Sequence, residues 1–258
     1  MLFALPVLWS WLGYERNRNH CRAQPASVRD FLWIVLAGLC FTGDLALWHW
    51  SLQYTTVANS TLLTNFAPVM VTLGAWIFLD ERITSRFVVG ITSGLAGATL
   101  LVGGGSRIEA GNLPGDVLAL GAAVFYAAYL ICLKRLRREY DGLTIMAWTG
   151  LVACGGFFLS AMPTDELLWP QTSSGWLVLV ALALISHVGG QTLIAFALGH
   201  LPASYASLGL LLQPVIAGIL AWILFQERLS AVQGLGGFLI LTGIGLATQP
   251  MRGLRQGA

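Results

Sequence analysis

The chain has 258 residues, of which 56% are hydrophobic and only 10% are charged, with a formal net charge of +2. Its mean hydropathy is +0.73 and its pI about 8.4. This composition argues against an ordinary water-soluble domain, and the small positive charge, carried at helix ends, argues against a nucleic-acid partner. We therefore expect a membrane protein.

Apolar runs close to the roughly 20 residues of a membrane-crossing helix follow one another along the chain. The ten-residue alternating pattern of a barrel strand is absent from the sequence, so we expect helices. The sequence predicts an all-α polytopic protein with nine spans: 1–14, 30–50, 59–79, 87–103, 116–136, 142–161, 175–198, 203–225 and 230–249.

The first run is unusually short. About 14 helical residues extend only about 21 Å, against a hydrocarbon core of roughly 30 Å. A signal peptide would need a basic segment before the run and a small-residue cleavage site after it, and the sequence has neither. We therefore expect Met1 to lie inside the second helix of a ten-helix plan.

Lysine and arginine residues predict the orientation of the spans. If the loop after the first span is cytoplasmic, alternation places 12 of the 14 basic residues on the cytoplasmic side. This distribution satisfies the positive-inside rule. The sequence thus predicts a cytoplasmic C-terminus.

Two stretches of the chain, 52–100 and 198–246, repeat each other at an offset of 146 residues, with 13 of 49 positions identical. The shared positions include Pro68/Pro214, Trp76/Trp222, Glu81/Glu227, Arg82/Arg228, Gly90/Gly236 and Gly97/Gly243. Equivalent spans of the two copies, the third and eighth and the fourth and ninth, are five spans apart, an odd number, so the copies must cross the membrane in opposite directions. The sequence predicts an inverted-topology repeat, which is typical of transporters.

The repeat also predicts how the chain is divided. We expect a first repeat over 1–104, an external linker over 105–115, a second repeat over 116–249 and a cytoplasmic tail over 250–258.

Several repeated features are interpreted as structural. We expect Asp116 to cap the helix at 116–136, and Ser230 with Gln233 to form a capping box, with Thr84 or Ser85 as its counterpart. The duplicated Glu-Arg pairs lie at membrane borders and favour turn formation and structural pairing. The glycine-spaced helices favour close packing within the bundle and leave a homodimer open.

The Pro-x₇-Trp-x₄-Glu-Arg pattern runs from Pro68 to Arg82 and again from Pro214 to Arg228. Together with the glycine-spaced helices and residues 43–68 (GDLALWHWSLQYTTVANSTLLTNFAP), it resembles the EamA-type ten-helix branch of the drug/metabolite transporter superfamily. The resemblance covers essentially the whole chain apart from a missing first helix. It implies a transporter in the bacterial inner membrane, with a small-molecule substrate and the lipid bilayer as partners and no cofactor.

Asp44 is the sharpest candidate for a functional residue. It lies fourteen residues into the predicted helix 30–50, where a carboxylate is costly unless it faces water or a partner. Two roles are open, a proton carrier and a counter-charge for a cationic or zwitterionic substrate. The alternative is a structural hydrogen bond to a neighbouring side chain.

His187 lies in the predicted helix 175–198, and Gln191 follows one turn later on the same face. Shifted by 146 residues, His187 falls on Phe41, three residues before Asp44. The two ionisable groups therefore occupy neighbouring places in equivalent helices, and a proton relay is chemically reasonable. A neutral histidine packed inside the bundle is the equal alternative.

Three weaker candidates complete the predicted site. Trp48 shares the face of Asp44 and is either an aromatic pocket wall or a packing residue. Asn65 extends a polar stripe towards Pro68, which favours cavity lining over interhelical hydrogen bonding. The rotation of helix 116–136 is not fixed by the sequence, and the family resemblance alone places Tyr126 at the pocket.

These residues predict a secondary transporter working by alternating access. The sequence contains no G-x-x-x-x-G-K-[ST] loop, so energy would come from proton or solute exchange through Asp44. The resemblance most often implies efflux of amino acids or related metabolites, with uptake of a vitamin or nucleotide-like molecule left open.

Two alternatives come from other classes of protein. An intramembrane enzyme would need a nucleophile–base pair or a metal cluster, but Ser186 and His187 point to different faces and H-E-x-x-H is absent from the sequence. The sequence therefore predicts that the chain is not an enzyme. The missing first helix leaves a truncated, inactive or purely structural membrane protein open.

Overall fold

The computed structural model describes residues 1–19, 24–103, 113–161, 170, 172–225 and 230–249. Regular structure in these ranges is helical throughout. The helices are α1 (Ala4–Asn19), α2 (Val28–Tyr54), α3 (Val57–Thr64), α4 (Ala67–Leu79), α5 (Ser85–Gly103), α6 (Leu113–Leu136), α7 (Gly142–Ala161), α8 (Ser173–Ala181), a π-helix (Leu182–Gln191), α9 (Thr192–His200), α10 (Ala203–Leu208), a 3₁₀ turn (Gly209–Leu211), α11 (Leu212–Phe225) and α12 (Ala231–Thr248). The all-α prediction is confirmed.

Eight helices or runs of consecutive helix pieces in the described ranges are long and apolar enough to cross a membrane. They coincide with the second to ninth predicted spans. The first predicted span forms α1, a helix of 16 residues. It is about 24 Å long and therefore shorter than the hydrocarbon core, as its sequence predicts.

The helices form two compact units. The first unit comprises residues 1–49 and 124–203, and the second comprises 50–123 and 204–258. Each unit draws on both predicted repeats, 1–104 and 116–249. In the first unit α1 packs against α7 and the π-helix, and in the second α5 packs along α12.

Reciprocal glycine contacts hold α5 against α12. A Cβ added at Gly90 would lie 2.5 Å from the carbonyl oxygen of Gly243, and one added at Gly243 would lie 2.6 Å from that of Gly90. Gly97 and Gly236 face each other in the same way, at 2.5 and 2.6 Å. Only glycine permits backbones to approach so closely. The predicted packing role of these four glycines within the bundle is confirmed.

The same contacts show how the two copies of the repeat are related. Gly90, the earlier glycine in α5, contacts Gly243, the later glycine in α12, so the two helices are antiparallel. Midway between the glycines, Ser93 Oγ donates to the carbonyl oxygen of Leu239 at 3.2 Å, and these residues are 146 apart. Contacts that exchange equivalent residues are the mark of a local two-fold relation. For α5 and α12 the predicted inversion is therefore observed.

The repeat extends to a break in each of two membrane spans. The span 57–79 is interrupted at Asn65 and Phe66, directly before the turn of helix that contains Pro68. The span 203–225 is tightened into a 3₁₀ turn at Gly209–Leu211, just before Pro214. Proline lacks the N–H that continues a helix and crowds the preceding turn. The predicted spans are thus present but are not continuous α-helices.

The structure confirms two of the predicted helix caps and contradicts a third. Ser230 and Gln233 form the predicted capping box of α12, and Thr84 Oγ1 accepts a hydrogen bond from Phe87 N at 3.2 Å. The prediction for Asp116 is wrong, because α6 begins at Leu113 and Asp116 lies within its first turn. Its carboxylate instead accepts a hydrogen bond from Thr55 Oγ1 at 3.1 Å.

The first Glu-Arg pair contains a second kind of cap. Glu81 Oε2 accepts hydrogen bonds from both the backbone N and the Oγ of Ser204, at 3.1 and 2.6 Å. Ser204 is the second residue of α10, so a carboxylate lies at a helix N-terminus, where its charge is favoured. Arg82 is exposed. Glu227 and Arg228, the second pair, lie outside the described residues.

We expect Glu81→Ala to lower the free energy of unfolding by about 1–2 kcal/mol, because α10 loses a charged cap and Ser204 loses its partner. Thermal unfolding of the purified chain in detergent measures the change. Arg82→Ala, at the exposed neighbour, should leave the melting temperature unchanged. An equal loss in both variants would contradict this role.

A further set of hydrogen bonds joins two segments at one end of the first unit. Tyr140 OH donates to Asp30 Oδ2 at 2.9 Å and accepts a bond from Ala26 N at 2.7 Å. Burial raises the pKa of Tyr140, so the hydroxyl keeps the proton that it donates. Ser27 Oγ donates to the same Asp30 oxygen at 2.8 Å. This link fixes the start of α2 to the turn that follows α6.

Candidate functional site

A group of polar side chains from three helical segments meets inside the first unit. Tyr129 OH donates to Gln191 Oε1 at 3.4 Å. Tyr126 lies within hydrogen-bonding reach of Gln191, and Asp44 is near enough to both tyrosines to interact electrostatically. We call Asp44, Tyr126, Tyr129 and Gln191 the polar cluster. Asp44, Tyr126 and Gln191 were predicted as site residues, and the structure places them together.

Depth in the bilayer makes the polar cluster unusual. Asp44 lies about 24 Å along α2, a helix of 27 residues that spans about 40 Å. Its side chain is half-buried, and Tyr129 is only 1% exposed. Carboxylates at such positions are rare and generally functional, because their burial in hydrocarbon is costly.

Aromatic rings surround the polar cluster. Tyr126 and Tyr129 have ring centroids 5.9 Å apart, and Phe41 lies 4.9 Å from Tyr129 and 6.1 Å from Phe157. These separations are typical of packed aromatic pairs. The cluster therefore combines one carboxylate, one amide and two phenols with aromatic surfaces.

Gln191 and His187 lie on an unusual element, the π-helix Leu182–Gln191 within the span 173–200. π-Helical turns are rare and occur frequently at functional sites. Gly189 and Gly190, which lower the local preference for an α-helix, lie in this segment. The predicted span is present, but its i→i+5 hydrogen bonding is a feature that periodicity did not predict.

His187 is packed against Phe41, with ring centroids 5.7 Å apart. The two rings belong to residues related by the repeat offset of 146. His187 Nε2 is buried and has no hydrogen-bond partner among the residues that the structure describes. An unpaired buried nitrogen of this kind is uncommon and is frequently associated with function. The proposed relay between His187 and Asp44 stays a prediction.

Trp48 and Asn65 have different surroundings. Trp48 is half-buried on α2, with its ring centroid 6.1 Å from that of His49. Asn65 belongs to the second unit, where its Nδ2 donates to the carbonyl oxygen of Thr61 at 2.9 Å. Thr64 Oγ1 also donates to the Thr61 carbonyl, at 3.0 Å. The polar side chains thus satisfy backbone carbonyls at the break in their own span.

Two residues of the site were not among the sequence candidates. The sequence does not single out Tyr129, because it does not fix the rotation of α6. Phe41 appeared only as the position equivalent to His187. That offset was a usable signal, because residues near a two-fold axis contact their own counterparts.

The cluster suits recognition more than bond-making chemistry. A half-buried carboxylate attracts an ammonium group or a proton, and aromatic faces also attract cations. Gln191 has both donor and acceptor capacity for a polar substrate. Such a combination is typical of a small-molecule site, in which a few polar groups are set among apolar walls.

Comparison with known proteins finds both a similar structure and relatives in sequence. A crystal structure with 18% sequence identity superposes with a TM-score of 0.71 over 96% of this chain and 97% of its own. An "Uncharacterized transporter" of Archaeoglobus fulgidus is 24% identical over 96% of this chain and 84% of that protein.

Two relatives have more specific names. A "Probable terminal-alkyne amino-acid exporter" of Streptantibioticus cattleyicolor is 27% identical over 99% of this chain and 82% of that protein. A "Riboflavin transporter" of Vibrio cholerae is 24% identical over 95% and 79%. The EamA-like transporter family matches residues 1–103 and 113–249. This chain is therefore a multi-pass membrane transporter, not an enzyme, and belongs to the EamA-like transporter family.

Proposed function

We propose that the protein exports a small amino acid or related amine by alternating access, with Asp44 as the residue that binds the ammonium group or the coupling proton. The observation that carries the proposal is the polar cluster. The carboxylate of this cluster, that of Asp44, lies deep in α2 and interacts electrostatically with Tyr126 and Tyr129.

Charge supports an amine over an anion as the substrate. A carboxylate in hydrocarbon favours a cationic partner and repels a second carboxylate unless other groups bind it. For a zwitterionic substrate, the amide N–H groups of Gln191 can donate to the substrate carboxylate. The amino-acid exporter among the relatives supports this substrate class.

The inverted repeat supports alternating access. Repeats of opposite topology allow two equivalent conformations to open to opposite sides of the membrane. The reciprocal contacts of α5 with α12 are one such symmetric element. With the cytoplasmic C-terminus and inner-membrane location predicted from the basic residues and the family resemblance, export corresponds to release at the periplasmic side.

Counterflow in liposomes tests the proposal. Vesicles containing the reconstituted chain and a high internal concentration of unlabelled amino acid should accumulate the labelled compound at least tenfold above protein-free vesicles. A panel of neutral and cationic amino acids, simple amines and riboflavin identifies the substrate class.

Three outcomes separate the candidates. Counterflow of an amino acid or amine supports the proposal, whereas counterflow of riboflavin alone would contradict the role of Asp44 in binding an ammonium group. Lack of flux for the whole panel, in protein that is folded and correctly inserted, would favour the inactive or structural alternative.

A further inference from the structure

Basic residues at one end of the first unit fall into two groups. Lys134 Nζ donates to the carbonyl oxygens of Leu198 and Leu201, at 2.8 and 2.7 Å. Arg137 Nη1 donates to the carbonyl oxygen of Tyr140 at 2.8 Å. These cations stabilise helix ends and turns of the unit, because carbonyls at helix C-termini attract positive charge.

Arg135 is held differently. Its guanidinium carbon lies 4.9 Å from the centroid of the Trp33 ring, a cation–π contact. In the part of the chain that the structure describes, Arg135 has no carboxylate partner. The indole orients the guanidinium without neutralising it, so its charge and its N–H donors stay available to an anion.

A second arginine lies on the same surface. Arg29 is exposed and precedes Trp33 by four residues, which places both on one face of α2. The neighbouring carboxylate of Asp30 interacts electrostatically with Arg29, but it accepts its side-chain hydrogen bonds from the hydroxyls of Ser27 and Tyr140. Trp33 thus brings positive charge together from the start of α2 and the end of α6.

The depth of this surface matches the headgroup layer. Helix α2, with 27 residues, is about 40 Å long and exceeds a roughly 30 Å hydrocarbon core by about 10 Å. If the excess is shared between its ends, about three residues at each end lie among the headgroups. Trp33, the sixth residue, then lies at the hydrocarbon boundary, where tryptophan is favoured. Arg135 is the last residue but one of α6.

We propose that Arg29, Trp33 and Arg135 form a binding site for the phosphate of an anionic phospholipid. The planar guanidinium offers paired N–H donors that match phosphate oxygens, and clusters of basic residues beside membrane helices bind anionic headgroups. The indole ring of Trp33 orients the Arg135 guanidinium and contacts the part of the acyl chain next to the headgroup. This site is independent of the polar cluster and of the proposed transport activity.

Native mass spectrometry of the full chain, with phosphatidylglycerol as the probe and phosphatidylcholine as the reference, measures this site directly. An arginine that contacts the headgroup of a bound anionic lipid contributes about 1 kcal/mol to its binding, equivalent to about fivefold in affinity. We expect Arg29→Gln and Arg135→Gln each to lower phosphatidylglycerol affinity about fivefold, and the double variant about 25-fold. The phosphatidylglycerol affinity of Arg135→Lys should lie between those of the wild type and Arg135→Gln, because lysine keeps the charge but lacks the paired donors of the guanidinium.

Arg86→Gln is the matched control, since Arg86 is an exposed arginine in the first turn of α5 and belongs to the second unit. It should bind phosphatidylglycerol like the wild type. Equal losses in this control, unchanged binding in the double variant, or equal affinity for phosphatidylcholine would overturn the proposal. Tight binding of free glycerol phosphate would also overturn it, because the site would then not require a lipid. Melting temperatures in phosphatidylcholine micelles verify that each variant is folded.

Discussion

Asp44→Asn should reduce substrate counterflow by about thirtyfold or more. Removal of one partner from a buried charged interaction costs about 2 kcal/mol or more, which corresponds to about that factor. Asparagine has nearly the same shape but neither charge nor a titrating proton. The loss should therefore arise from binding or coupling and not from packing.

Initial rates of counterflow, and of transport driven by a proton gradient, distinguish the two roles of Asp44. Loss of both indicates a counter-charge for the substrate, whereas loss of gradient-driven transport with preserved exchange indicates a proton carrier. Asp44→Glu should retain part of the activity, since it keeps the carboxylate.

Asp80→Asn is a matched control for Asp44→Asn. Asp80 is exposed and has a φ of 55°, a left-handed conformation that asparagine also tolerates. It should transport at the wild-type rate. Wild-type rates of both counterflow and gradient-driven transport in Asp44→Asn would remove Asp44 from the mechanism.

The second large effect is structural. Gly97→Ala should lower the free energy of unfolding by about 2–3 kcal/mol, the usual cost of overpacking a close contact. The added Cβ would lie 2.5 Å from the carbonyl oxygen of Gly236 and 2.8 Å from the backbone N of Ile240. Because both are backbone atoms, the helices must separate. The melting temperature measured in detergent should fall by roughly 5–10 °C.

Gly236→Ala should give a loss similar to that of Gly97→Ala, since the contact is reciprocal. Gly245→Ala, also in α12, is the control, because a Cβ at this position would meet nothing within 4 Å. Its melting temperature should be unchanged or slightly higher, as alanine favours the helix more than glycine does. A Gly245→Ala loss equal to that of Gly97→Ala would show that the close contact does not cause the loss.

Helix positions could be predicted because they depend on long apolar runs, which short-range irregularities do not erase. The spans were recognised even where Pro68 and Pro214 interrupt them, but the location of each break was not. A break depends on local hydrogen bonding, and here the side chains of Thr64 and Asn65 add bonds to the Thr61 carbonyl, which also accepts the backbone N–H of Asn65. Asp116 was misassigned because the apolar run places the helix start at 116, whereas α6 already begins at Leu113.

The candidate site was partly predictable for a different reason. Asp44 and His187 are conspicuous as ionisable residues in apolar helices, so burial cost alone identifies them. Tyr129 is not conspicuous, because its role depends on the rotation of α6. The π-helix could not be inferred either, since its hydrogen-bond register is set by the packing of the segment and not by its hydrophobic pattern.

Three hydrogen bonds also restrict how often the chain crosses the bilayer. Asp30 with Tyr140, Thr55 with Asp116, and Glu81 with Ser204 each join helix ends, and bonded ends must lie on the same side of the membrane. Four, two and four candidate spans, respectively, separate these partners. All three numbers are even, so each loop of chain returns to the side it left. The span 85–103 lies between the partners of all three bonds, so its failure to cross would make every one of these numbers odd and break every bond.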